Sequence, residues 1–149
     1  MKLIKETETL EYKKTTSELK NSMKDISAIL NKHGEGILYF GVKPDGTVIG
    51  QEIGNNTLNE IATRIKDAIE PYIFPTIKEE TIDGKTVVKV EFKGNEKPYS
   101  ANGKYYIRVS DRSELMSQIQ LKYFLYDNDN DNIWENFLTD ADISDVDTL

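Results

Sequence analysis

The chain has 149 residues, with 19 Lys and Arg against 26 Asp and Glu, a formal net charge of -7 and no cysteine. That length suits one domain with a real hydrophobic core, and the missing cysteine excludes disulfide frameworks, thiolate metal sites and thiol nucleophiles. No run approaches the ~18 consecutive apolar residues of a membrane span, and the first residues lack a secretory signal's apolar stretch, so a soluble, cytoplasmic protein is expected.

The charge is unevenly spread. Residues 1–115 hold 18 basic and 18 acidic residues, whereas 116–149 hold one Lys and eight acids. The acidity therefore belongs to the C-terminal segment, and the neutral main body is compatible with an ordinary solvated surface.

Taken in chain order, Leu10 and Tyr12 alternate with Glu11 and Lys13, the pattern of a strand with one face inward. Thr15 and Glu18 are spaced as a capping box, and Leu19, Met23, Ile26 and Leu30 recur at helical spacing until Gly34 supplies a left-handed stop. Residues 36–42 are nearly all apolar, as in a strand covered on both faces. Pro44-Asp45-Gly46 makes a turn into a short strand over 47–50, closing a hairpin. Thr57 and Glu60 repeat the capping box before a second apolar stripe, Leu58, Ile61, Ala62, Ile65, Ala68 and Ile69, which Pro71 ends. Asp83-Gly84 and Asn102-Gly103 are strong two-residue hairpin signals; they join 77–82 to 85–92 and 97–101 to 104–109. A last helix is expected over 117–126.

The fold class is thus α+β: a mixed, largely antiparallel sheet of hairpins packed with two to three helices. Residues 1–126 form the domain, and 127–149 read as an acidic tail or linker. Within the tail, residues 127–132 alternate Asp and Asn like half of a calcium loop. They lack the Gly of the sharp turn and the distal bidentate Glu, so they read as a solvated loop. The segment 137–149 carries too little apolar area to fold without a surface to lie on.

Three groups of residues could carry chemistry. Glu6 and Glu11 could hold a divalent cation that polarises a phosphodiester and generates hydroxide. An offset of five puts them on opposite faces of a straight strand, so this requires a bend between them; otherwise Glu11 pairs with Lys13 and Glu6 is a terminal charge. Residues 31–36 contain two glycines but follow a helix instead of opening one, which offers a phosphate no positive dipole end. No Walker-type loop occurs, and His33, the single histidine, sits at a helix end. The third group is the strand over 104–109, where Lys104, Tyr106 and Arg108 share one face and Tyr105, Ile107 and Val109 the other. A Tyr between two cations can stack on a base while the cations contact phosphate; the alternative is cross-strand pairing with acids. Lys13, Lys14 and Arg112 are the other cations expected near such a surface.

One stretch is specific enough to name a family. Glu6, then Glu11-Tyr-Lys, a helix, Ala28-x-x-Asn31-x-x-Gly34, an apolar strand and Gly41-Val42 resemble the opening of the Schlafen/AlbA-type DNA-binding domain. Lys104 to Arg112 resembles its closing signature, an aromatic-rich strand ending in Arg-Val and a small polar residue. The resemblance implies a nucleic-acid-binding domain, DNA favoured over RNA, found as the N-terminal part of transcriptional regulators and needing no cofactor. Nucleolytic relatives imply another reading, an endoribonuclease on structured RNA using Mg or Mn. Their third carboxylate is an Asp directly after the Gly-Val; here Lys43 stands there, and Asp45, two residues on, is the nearest candidate for catalytic Glu6, Glu11 and Asp45. Lys43 could instead replace the cation and pair with Glu11. A third reading is a protein-interaction module using the acidic tail. Relatives act as homodimers or continue into an ATPase-like or regulatory domain, and no heptad here chooses between these assemblies.

Overall fold

A computed structural model describes residues 2–126; the expectations for 127–149 lie outside the described residues. The chain divides into two compact units, Met1–Leu115 and Met116–Leu149. In the second, residues 118–126 are helical, in line with the helix expected there. Among the described residues no helix is long and apolar enough to cross a membrane.

The first unit holds two helices and two four-stranded sheets. Strand β1 (Leu10–Lys13) leads through a 3-10 turn (Thr16–Glu18) into α1 (Leu19–His33), then β2 (Glu35–Phe40), α2 (Thr57–Ala68) and β3 (Ile69–Glu70). Strands β4 (Thr76–Ile82), β5 (Lys85–Lys93), β6 (Ser100–Ala101), β7 (Lys104–Val109) and β8 (Arg112–Leu115) follow. One sheet has the order β1-β2-β5-β4, the other β3-β6-β7-β8. The single parallel pair is β1 with β2; every other pairing between these strands is antiparallel. The α+β class stands, but the strands are shared between two sheets where the periodicity suggested one.

Local chemistry explains most boundaries. Thr15 Oγ1 accepts from the Ser17 amide and Glu18 Oε2 from the Lys14 amide, so the first capping pair closes the 3-10 turn that feeds α1. Gly34 ends α1 at φ 80°, its amide returning to the Leu30 carbonyl. The second capping pair works differently: Thr57 is already helical, Asn56 is the cap residue, and Thr57 Oγ1 accepts from Gly54 instead. Ile69 leaves the helix to start β3, still fully buried. Asp83 and Asn102 take positive φ ahead of Gly84 and Gly103, as the two tight hairpins require. The hairpin expected after β2 shrinks to one bridge, Val42 to Val48.

Helix α1 packs between the sheets. Its Met23, Ile26, Ile29 and Leu30 join Leu38 and Phe40 of β2, Ile61 and Ile65 of α2, Val88, Val90 and Phe92 of β5, and Tyr99 and Ala101. A smaller cluster of Tyr12, Val42, Val48 and Val87 covers part of the opposite face of the first sheet. Gly36 is a steric necessity: a Cβ there would lie 2.7 Å from Ile29 Cγ2 and 2.9 Å from the Thr9 carbonyl oxygen. Asn31 ties α1 to the second sheet. Its Nδ2 donates to the carbonyls of Tyr99 (2.9 Å) and Tyr106 (2.7 Å), and its Oδ1 accepts from the Tyr99 amide. The motif Asn thus satisfies three buried backbone groups that would otherwise be orphaned.

Candidate functional site

Most of the residues expected to carry chemistry fall into two places. The first is a buried ionic network. The bend required between Glu6 and Glu11 exists: the Thr7 amide donates to the Leu10 carbonyl, folding residues 6–9 back, so that Glu6 Oε2 accepts from the Tyr12 amide at 2.9 Å. Glu6 and Glu11 thereby come within hydrogen-bonding reach of each other. Burial, then the bond to Glu11, push the Glu6 carboxyl up to about 8, against the opposing effect of the Tyr12 N–H. The Glu6 carboxyl is therefore mostly protonated at neutral pH.

A cation already sits beside these carboxylates, and it belongs to the chain. Arg108 has no exposed side-chain surface; its Nη2 donates to Glu11 Oε1 at 2.6 Å, and its Nη1 lies 3.4 Å from Asp25 Oδ1. The rest of the guanidinium donates to the carbonyls of Thr7 and Glu8 and to Ser113 Oγ, which donates to Asp25 Oδ1 at 2.6 Å. Lys13 adds a second ammonium, 2.9 Å from Asp25 Oδ2 and 3.4 Å from Glu11 Oε2. Burial works against the Lys13 charge, but Asp25 and then Glu11 outweigh it and hold its pKa above the usual lysine value. The network joins β1, α1, β7 and β8, and Arg108 uses all its donors, which only a guanidinium fork can do.

Asp45 does not join it. Its Oδ1 accepts from the Thr47 amide at 2.9 Å in the turn, and Lys2 lies 3.8 Å from Oδ2. Lys43 is exposed and makes no ion pair among the described residues, so it does not take the cation's place beside Glu11. Asp25, the acid that does face Glu11, went unread in the sequence, although it lies three residues after Ser22 and four before Ile29 on a buried flank of α1. These residues do not fit a divalent ion. The oxygens that would bind it face Arg108 and Lys13, and no group of three metal-ligating side chains occurs among the described residues.

The second place is a depression of about 210 Å³ between the first half of α1 and the β6–β7 hairpin. It is lined by Lys20, Asn21, Lys24, Ala101, Asn102, Lys104 and Tyr106. Lys104 and Tyr106 are therefore together as expected, while Arg108, on the same strand face, has turned inward to the network. Lys20 and Lys24 take its place at the surface, one helical turn apart. None of the three lysines is ion-paired among the described residues, in contrast to Lys13, Lys32, Lys78 and Lys89. Lys14 and Arg112 are exposed outside the depression, Arg112 pairing with Glu114 at 3.0 Å. His33 Nε2 lies 2.8 Å from Glu8 Oε1, the helix-end role its position suggested.

The Schlafen, AlbA_2 family profile matches residues 6–117, spanning Glu6, the network and the depression. The chain belongs to this family. This Schlafen AlbA_2 chain is also similar in fold to two solved structures. One is the DIP2311 protein of Corynebacterium diphtheriae, at a TM-score of 0.60 and 15% identity, covering 73% of this chain and 22% of that one. The other is the N-terminal domain of a protein described as ATP-dependent DNA helicase RecG-related, from Nitrosomonas europaea, at a TM-score of 0.51 and 20% identity, covering 74% and 84%. Among curated proteins none matches the chain. At such identities the likeness concerns the fold, and the Schlafen AlbA_2 chain spans about a fifth of DIP2311.

Proposed function

We propose that this chain is a nucleic-acid-binding module, DNA favoured, that binds without cutting and serves a transcriptional regulator. The observation that carries the reading is the set of three lysines, Lys20, Lys24 and Lys104, unpaired among the described residues, around one depression with Tyr106 and no acid among its described lining residues. Like charges held together without counter-ions cost free energy that a polyanion relieves. A larger groove, about 670 Å³, is a poorer place for phosphate: Glu35 and Glu91 line it against Lys93, above an apolar floor of Leu10, Ile37 and Phe92.

Support for binding without hydrolysis comes from the buried network. Arg108 and Lys13 neutralise Glu11 and Asp25, and Glu6 holds its proton, so among the described residues this Schlafen AlbA_2 domain presents no open carboxylate set for a metal. In this reading Lys13 and Arg108 brace the fold behind the binding surface, Lys104 and Tyr106 touch the ligand, and Lys14 and Arg112 reach phosphates beyond the depression. The family and the neighbour described as ATP-dependent DNA helicase RecG-related favour a nucleic-acid ligand. The small share of DIP2311 that matches suggests a module working beside a larger regulatory or ATPase-like domain.

The test is one set of gels: the chain with labelled DNA and tRNA, with and without manganese, scored for retardation and cleavage. Salt-sensitive retardation that falls at least about tenfold in Lys20→Glu/Lys24→Glu/Lys104→Glu, with the nucleic acid intact, is the expected result. Manganese-dependent fragments lost in Glu11→Gln would overturn it in favour of the nuclease. Neither retardation nor cleavage would move the reading to a protein partner.

A further inference from the structure

Resting on that reading, we infer that the depression receives one unpaired nucleotide of a single strand, so that this domain prefers single-stranded over duplex nucleic acid. Four observations lead there. The cavity is concave and small: about 210 Å³ lies below the ~300–1,000 Å³ of pockets that enclose a whole small ligand, which suits one residue of a polymer. Duplex DNA is read by convex elements that enter a groove, whereas a hollow receives something that projects, such as an unstacked base.

The chemistry of the lining is divided in the way a nucleotide is. Lys20, Lys24 and Lys104 supply charge for phosphate, while Asn21 and Asn102 supply amides that can both donate and accept at a base edge. Tyr106 adds an aromatic ring, half-buried and packed against the core, as a fixed surface for a base or sugar.

The walls are also rigid. Lys20, Asn21 and Lys24 stand on α1, and the hairpin opposite is fastened to the same helix by Asn31 through the Tyr99 and Tyr106 carbonyls. The Asn102 amide donates to the Ala68 carbonyl at 2.8 Å, fixing the hairpin tip to the end of α2. A hollow whose two sides are tied together in this way is organised before a ligand arrives, and binding loses less entropy. Finally, among the described residues no carboxylate lines the cavity to compete with phosphate.

The experiment uses the full chain and fluorescence anisotropy with a labelled 12-nucleotide strand, the same strand annealed into a perfect duplex, and a nucleoside monophosphate as competitor. The expected result is binding about tenfold tighter to the single strand, with a log–log salt slope between about -2, for the three lysines of the depression, and about -3.5, with Lys14 and Arg112 added. Lys104→Ala makes that slope shallower by about 0.7. Asn21→Ala and Asn102→Gly, which keeps the turn's positive φ, weaken the strand severalfold without lowering the melting temperature. Equal affinity for strand and duplex, with both lost in Lys104→Ala, would overturn this inference and leave the proposed function standing. Binding to neither form overturns both. Strand binding untouched by all three variants refutes the site, and displacement by the monophosphate at equal concentration refutes a polymer as the ligand.

Discussion

Two cation-bearing regions of this molecule carry opposite assignments. In the network, Arg108 and Lys13 are withdrawn from water and matched against Glu11 and Asp25. At the depression, Lys20, Lys24 and Lys104 face solvent and have no carboxylate partner among the described residues. Strand β7 supplies both, since Lys104 and Arg108 alternate onto one face yet end in different surroundings. A cation's value depends on what desolvates it. The buried set specifies how β1, α1 and the second sheet meet, and the exposed set is free to meet a ligand.

The comparison breaks most visibly at Arg108. Arg108→Ala leaves Glu11 and Asp25 buried with one ammonium between them, and the expected loss is about 3–5 kcal/mol of folding free energy. Denaturant unfolding measures it. Combining Arg108→Ala with Glu11→Gln should cost less than the sum of the single changes, because the second substitution removes a charge the first left unpaired. A loss under about 1 kcal/mol for Arg108→Ala would mean that water reaches the network and that the two regions do not differ in kind.

That burial was not legible in the sequence, and the reason is specific. Period-two alternation says which residues share a face, not which face is covered, so Lys104, Tyr106 and Arg108 read as one surface. The end of β7 is closed by β8, whose Arg112–Leu115 lacks β-branched residues and follows Ser110-Asp111, a weak turn signal beside Asn102-Gly103. What depended on local chemistry was readable: the Thr15 and Glu18 pair, the Gly34 stop and both Gly-containing hairpins stand where their residue types put them. The division into two sheets, the placement of Asp25 and the joining of Lys20 and Lys24 to Lys104 depend on contacts remote in sequence, which no short-range pattern encodes.

A second prediction sharpens the contrast through pH. The Glu6 carboxyl keeps its proton in the folded chain up to about 8, whereas its ordinary value is 4.5. Between those values the unfolded chain has released a proton that the folded chain retains, so raising the pH favours unfolding. Stability should decline as pH rises through this window and level off above it. Glu6→Gln, which can accept from the Tyr12 amide and donate to Glu11, should flatten the decline. Exposed Glu8 and Asp45 are held below their usual values by Lys32 and His33 and by Thr47, so their titration falls below this window and leaves the slope to Glu6. A slope unchanged in Glu6→Gln would place the titrating group elsewhere.

The smallest effect belongs to the arginine four residues on. Arg112 lies in register with Val109 across the β7–β8 hairpin and pairs with Glu114 at 3.0 Å, but both side chains are largely in water, 69% and 48% exposed. High dielectric and side-chain entropy cancel most of such an attraction, so Arg112→Ala should change stability by no more than about 0.5 kcal/mol. Added salt separates the two arginines further. At ~1 M the Debye length contracts to about 3 Å, so whatever Arg112 contributes should vanish while the Arg108 penalty, shielded from ions by burial, persists. Similar losses for the two variants, or a salt-sensitive Arg108, would show that both cations belong to the surface.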